Sequence, residues 1–254
     1  MSREQFTLFP DDGIYRIESD IDSEHRLYVS FSPEGFYPGG GYRLFGRSCE
    51  LAVPGIRRPF FFILCKDGEI SCLSVNSVTL GSCTFTDAGG EDTANGEGCT
   101  AYGRLYFSGS LIASPDSVML VRELGIEVIA DMGDTSSKEH RKDIQYDGVR
   151  MYERDGKCPE EDDPESIVTD EYIGEILKYM ISGKTILVHG GPGYRDADRV
   201  REIILYLLGC RAEGYAEYIE NRYGSAQKYV SSVFGIGPGD LKKIKKGYLR
   251  EYKI

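Results

Sequence analysis

The stretch "ILVHGGPGYRDADRV" (186–200) decides how the rest of the chain is read. It runs an uninterrupted apolar segment into a glycine-rich turn and then into a helical pattern. An apolar run of that length suits a strand covered on both faces. The glycines at 190, 191 and 193 have two readings. They let a backbone approach an anion at a helix N-terminus, or they let a tight strand-to-helix turn take positive φ. The layout is that of a phosphate-binding loop, yet the stretch holds no cysteine, serine or lysine. A backbone-only anion site stays open, because the helix N-terminus keeps its partial positive charge.

Working outward, residues from about 115 onward alternate helix and strand. "SPDSVMLVRELG" (114–125) opens on a Ser114 cap and closes at Gly125, and "IEVIADM" (126–132) is a second buried-strand run. "SIVTDEYIGEILKYMIS" reads as an amphipathic helix before "KTILVHG". Further helices are expected near 196–209, 212–222, 225–234 and 239–249. This order predicts an α/β domain with a mostly parallel central sheet and C-terminal helices. In the basic run "DLKKIKKGYLREYK" (240–253), Leu241, Ile244 and Leu249 are expected to face inward and the lysines outward. The acidic stretch 157–166 reads as a solvated loop.

Residues 1–80 read differently. "GIYRIES", "RLYVSFS", "YRLFG" and "PFFFILC" are short, aromatic and β-branched, with hairpin turn chemistry at 38–43 and 66–69. They predict a small all-β, sandwich-like domain ahead of an α/β domain over 81–254.

Composition limits function. The 254 residues are 41% hydrophobic, enough for a packed core, and carry a formal net charge of −11. That charge argues against nucleic acid as partner. No run is long enough to span a membrane, and the N-terminus lacks a signal-peptide pattern, so a cytoplasmic protein is expected. The seven cysteines are odd in number and not at zinc spacing, which reads as reduced structural thiols with no cofactor.

Three separated stretches resemble one family, the bacterial tyrosine phosphatases marked by NFRDLGG and HCxxGKDRTG. "TFTDAGGEDTANGEGCTAYGRLYFSGSL" (84–111) is similar to NFRDLGG followed by a GRLYRSGSL segment. "LVRELGIEVIADMGD" (120–134) is similar to the family's helix and its strand ending in DLR. "ILVHGGPGYRDADR" stands where HCxxGKDRTG belongs, with His189 and Gly193 retained. The tail "RYGSAQKYVSSVFGIGPGDLKKIKKGYL" resembles the family's C-terminal helices.

The resemblance also implies what has gone. Gly190 stands at the nucleophilic cysteine, which must form the covalent intermediate. Tyr194 stands at the lysine, Arg195 at the aspartate, and Asp196 at the arginine that clamps phosphate. A guanidinium that grips two phosphate oxygens is thus replaced by a carboxylate that repels them. The other basic positions are Thr86, Phe107 and Gly133 here, whereas Asp87, Ser108 and Asp131 are kept. Arg195 lies one residue before the clamp position, so either an inward clamp from a shifted loop or a surface ion pair would fit. Pro192 removes one backbone donor from the loop.

The expectation is therefore a phosphatase-like protein without phosphate-transfer chemistry, binding a protein or a small anionic ligand. Gly191, Tyr194, Arg195, Asp87, Ser108 and Asp131 are the candidate contacts. His189 is expected to be a satisfied structural histidine with no nucleophile beside it. The alternative is metal-assisted phosphoester hydrolysis at Asp87, Asp131 and Asp196, which requires the three carboxylates to converge. A purely structural interaction module is the third reading.

Overall fold

A computed structural model of the chain describes residues 6–11, 13–20, 25–34, 41–44, 47–53, 58–65, 68, 70–81, 83–109, 114–131, 149–153, 170–190, 195–211 and 215–251. For 42, 44, 150–153, 170, 171, 195 and 196 it describes the backbone alone. Half of the predicted hairpin turn at 38–43, most of that at 66–69, the acidic stretch 157–166, Gly133, and Gly191, Pro192, Gly193 and Tyr194 lie outside the described residues. The chain divides into two compact units, Met1–Val78 and Thr79–Tyr252.

The first unit holds two antiparallel sheets. One is ordered β1 (Phe6–Asp11), β2 (Ile14–Ser19), β5 (Ser48–Ala52). The other is ordered β4 (Tyr42–Leu44), β3 (His25–Ser30), β6 (Phe60–Leu64), β7 (Ile70–Ser74). Ile17 from the first sheet and Leu27, Phe61 and Ile63 from the second share one interior with Val53. The Tyr15 and Phe61 rings meet across it at 5.2 Å. Alternating side chains on each strand supply that interior, as a two-layer β unit requires.

The second unit is mixed α/β. Its main sheet is ordered β13 (Arg150–Glu153), β12 (Val128–Asp131), β14 (Ile186–His189), β11 (Leu105–Ser108), β9 (Cys83–Asp87), β8 (Ser77–Leu80). The first four strands run parallel, and β9 is antiparallel to β11. The apolar run at 186–189 therefore becomes the inner strand β14, paired on one edge with β12 and on the other with β11.

Six helices are described. They are α1 (Pro115–Glu123), α2 (Asp170–Ile181), α3 (Arg195–Leu208), α4 (Tyr215–Tyr223), α5 (Ala226–Phe234) and α6 (Pro238–Tyr248). α1 begins where the sequence predicts. Ser114 and Ser117 exchange reciprocal capping bonds of 3.2 and 3.1 Å, and Pro115 fills the first turn. α5 is capped by Ser225 and ends at left-handed Gly235.

Helices α2 to α6 bury one face of the parallel strands. Val128, Ala130, Ile186, Val188, Leu105 and Phe107 pack with Ile176, Leu177, Val200, Ile204, Val230 and Ile244 in a single cluster. The alternate positions Tyr106, Ile129 and Leu187 are buried on the opposite face. Such double coverage is why these strands read as continuous apolar runs.

The C-terminal reading needs one correction. Leu241 and Ile244 face inward as expected, but the third inward residue is Tyr248, and Leu249 opens the short strand β15 (Leu249–Glu251). Spacing explains the difference, since 241, 244 and 248 fall on one helical face. The Tyr248 hydroxyl donates to the Lys184 carbonyl just before β14, and β15 pairs with β10 (Gly98–Thr100). The C-terminal end thus braces the central strand.

Two buried groups give this unit an alkaline weakness. Burial pushes the Cys210 thiol up from 9.0 to about 11, and Glu91 nearby adds to the shift. Burial also raises the Tyr248 phenol. An unfolded chain loses these protons at lower pH than the folded one, so the Cys210 contribution to stability is complete below pH 9.0 and declines toward about 11, and the Tyr248 contribution declines at higher pH. Denaturant unfolding over that range should show falling stability, with a shallower fall in Cys210→Ala.

Candidate functional site

Register sets the geometry of the candidate site. In the parallel pairs, Ser108 of β11 stands opposite His189 of β14, and His189 stands opposite Asp131 of β12. Each is the last residue of its strand. All three project from one face, which follows from the two-residue side-chain period, and that face is the one away from the α2–α6 cluster. They form a polar row at the C-terminal edge of the parallel strands, where open α/β sheets commonly bind ligands.

The row is buried. His189 is 4% and Ser108 5% exposed, and Asp131 is covered as fully. His189 Nε2 lies 3.5 Å from Asp131 Oδ1. The Ser108 hydroxyl makes no hydrogen bond among the described residues. The sequence alone suggests no nucleophile beside His189. The sheet does place a hydroxyl on the neighbouring strand, though not in hydrogen-bond contact with the ring.

Gly190 directly follows β14. It is buried, and its N–H donates to the Ser108 carbonyl at 2.9 Å. It has no side chain to offer as a nucleophile. Arg195 opens α3 and Asp196 follows in its first turn, but their side chains lie outside the description. The loop glycines 191 and 193 and Tyr194 are likewise outside it.

Asp87 corrects the expectation of a three-carboxylate pocket. It ends β9, which runs against β11, and pairs with Tyr106, two residues before Ser108. Strands β11 and β14 separate it from β12, so three strand spacings place Asp87 about 14 Å or more from Asp131. Its carboxylate is also engaged: Oδ1 accepts from the Gly89 N–H at 2.7 Å and Oδ2 from the Gly103 N–H at 2.6 Å. Asp87 therefore ties down both ends of the turn between β9 and β11. Gly89 belongs to the same device, since a Cβ there would fall 2.5 Å from the Tyr102 Cα.

That turn is anchored to the helical layer as well. Arg201 of α3 reaches the Glu91 carboxylate at 2.5 Å, and the Ala94 N–H donates to the Gly209 carbonyl at 2.8 Å. The Cys210 thiol contacts the Glu91 carbonyl at 3.7 Å. No disulfide joins the six described cysteines. Among the described residues no three His, Cys, Asp or Glu side chains converge as a metal site. No helix among them is long and apolar enough to cross a membrane.

Through the resemblance, sequence reasoning set Ser108 and Asp131 among the contacts of one ligand, but it kept His189 apart as a structural histidine and did not place it between them. The available signal was positional, because each closes an apolar run: LYFS, VIAD and ILVH. Compared with known proteins, the chain matches no family model and no curated protein sequence.

The bonds to Asp87 generate a test. Asp87→Ala leaves two backbone amides without their acceptor and should cost about 2–4 kcal/mol in denaturant unfolding. Asp87→Asn, which keeps one oxygen, should cost less. Addition of EDTA should leave the wild-type unfolding curve unchanged, as a structural carboxylate requires.

Proposed function

We propose that this chain is a tyrosine-phosphatase-like protein that has lost phosphoryl transfer and acts by binding. The observation that carries the reading is Gly190. The resemblance places it at the nucleophile, and it is a buried glycine whose N–H is already bonded to the Ser108 carbonyl. Without a side chain there can be no phosphocysteine intermediate, and the Ser108 hydroxyl on the neighbouring strand makes no hydrogen bond to His189 that would activate it. The replacement of the clamp arginine by Asp196 points the same way, since a carboxylate repels phosphate.

The parallel order β12, β14, β11, with helices between successive strands, supports the phosphatase-like architecture for the α/β unit. The β unit ahead of it supplies a second surface for a protein partner. Described cysteines without disulfides fit a reducing compartment, and we place the protein in the cytoplasm. Metal-assisted hydrolysis finds no support in the separation of Asp87 from Asp131.

Hydrolysis of an aryl phosphate tests the proposal. The wild type should show no turnover above the uncatalysed rate, with or without EDTA. The double variant Gly190→Cys, Asp196→Arg restores nucleophile and clamp together, and any gain of turnover supports the loop alignment. Metal-independent turnover by the wild type would overturn the proposal.

A further inference from the structure

We infer that the polar row Ser108–His189–Asp131 at the sheet edge contacts an uncharged hydrogen-bonding group of a ligand, a hydroxyl or a carboxamide, and not a phosphate. The inference rests on the reading of this site as a phosphatase-like site without its chemistry, and it names the class of ligand group the site takes.

The first support is the Ser108 hydroxyl. It is 5% exposed and has no hydrogen-bond partner among the described residues. Native interiors seldom leave a buried hydroxyl unpaired, and the exceptions are commonly filled by water or reserved for function. Alanine at this strand position would carry no hydroxyl and so no such penalty. Register adds the second support, because Ser108 is held beside His189, which is held beside Asp131, all on one face. A group seated against Ser108 therefore also meets the His189–Asp131 pair.

Charge then selects the ligand. With the ring protonated the pair is neutral, and with the ring neutral it is negative, so in neither state does it offer net positive charge to an anion. His189 Nε2 already faces Asp131 Oδ1 at 3.5 Å. A phosphate here would lose its hydration beside a carboxylate, and the resemblance places Phe107, Gly133 and Asp196 where arginines would stand to repay that loss. A hydroxyl or carboxamide can both donate and accept. It can satisfy the Ser108 hydroxyl in either of its orientations without adding charge.

The test uses the full chain with its three histidines labelled at the ring nitrogens. Acetamide, glycerol and inorganic phosphate are titrated separately while the His189 signals are followed. Acetamide or glycerol should move them saturably in the wild type and not in Ser108→Ala, and phosphate should leave them in place. Thermal unfolding without additive is the second readout. Removing an unpaired buried hydroxyl should raise the melting temperature of Ser108→Ala by about 1–4 °C.

A lower melting temperature for Ser108→Ala, with no probe moving His189, would mean that the hydroxyl holds a resident water or serves packing, and would overturn the inference. A saturable response to phosphate would overturn the ligand class. Both results are distinguishable from failure of the proposed function, which aryl phosphate turnover decides on its own.

Discussion

Everything in the α/β unit depends on the placement of β14. Its Ile186, Leu187 and Val188 are fully buried, and both of its edges are paired with parallel neighbours. A strand so enclosed must satisfy its backbone entirely through ladder bonds, which fixes register on both sides. At its start, the Ile186 N–H donates to the Arg104 carbonyl, the Glu127 and Val128 N–H groups to the Thr185 carbonyl, and Tyr248 to the Lys184 carbonyl. Glu127 completes the brace, accepting from Lys184 at 2.8 Å and from the Thr185 N–H at 3.0 Å. The Lys184 contact holds that carboxyl below its usual range. With the start of β14 fixed, its end is fixed too, and His189 falls between Ser108 and Asp131.

The polar row is a consequence of that register, and so is the separation of Asp87 from it. A fold constrains where chemistry can sit without dictating which chemistry is present. The residues that the resemblance counts as kept divide by physical role. Asp87 and Gly89 shape a turn, and His189 and Asp131 pair within the sheet edge. On the proposed reading, the residues that went are those whose only contribution was charge or nucleophilicity toward phosphate. Their loss leaves the sheet ladders and the helix cluster untouched, so the scaffold can persist without the reaction.

Much of the architecture was legible in sequence because burial leaves a pattern. "IEVIADM" and "KTILVHG" became β12 and β14, the Ser114 cap became the start of α1, and the four strand-like segments quoted from the first 80 residues became β2, β3, β4 and β6. Periodicity reports how deeply a strand is covered but does not say which strand lies beside it. Nothing in "ILVH" announces β11 on one edge and β12 on the other, so the placement of His189 between Ser108 and Asp131 was invisible. For the same reason three aspartates could be imagined as one pocket, when β9 runs against β11 and carries Asp87 away from that edge. Tyr248 was missed because a polar-tipped aromatic beside a lysine run reads as surface, whereas its hydroxyl finds a backbone carbonyl inside.

On the proposed reading, the sequence after β14 has lost its grip on a phosphoryl group. Orthovanadate, which adopts the five-coordinate geometry of phosphoryl transfer, probes that grip more directly than a substrate, because an active phosphatase site binds such analogues far more tightly than the ground state. Calorimetric titration of the full chain with orthovanadate should give no saturable heat. A saturable, phosphate-competed isotherm would show that an anion clamp survives and would contradict the account.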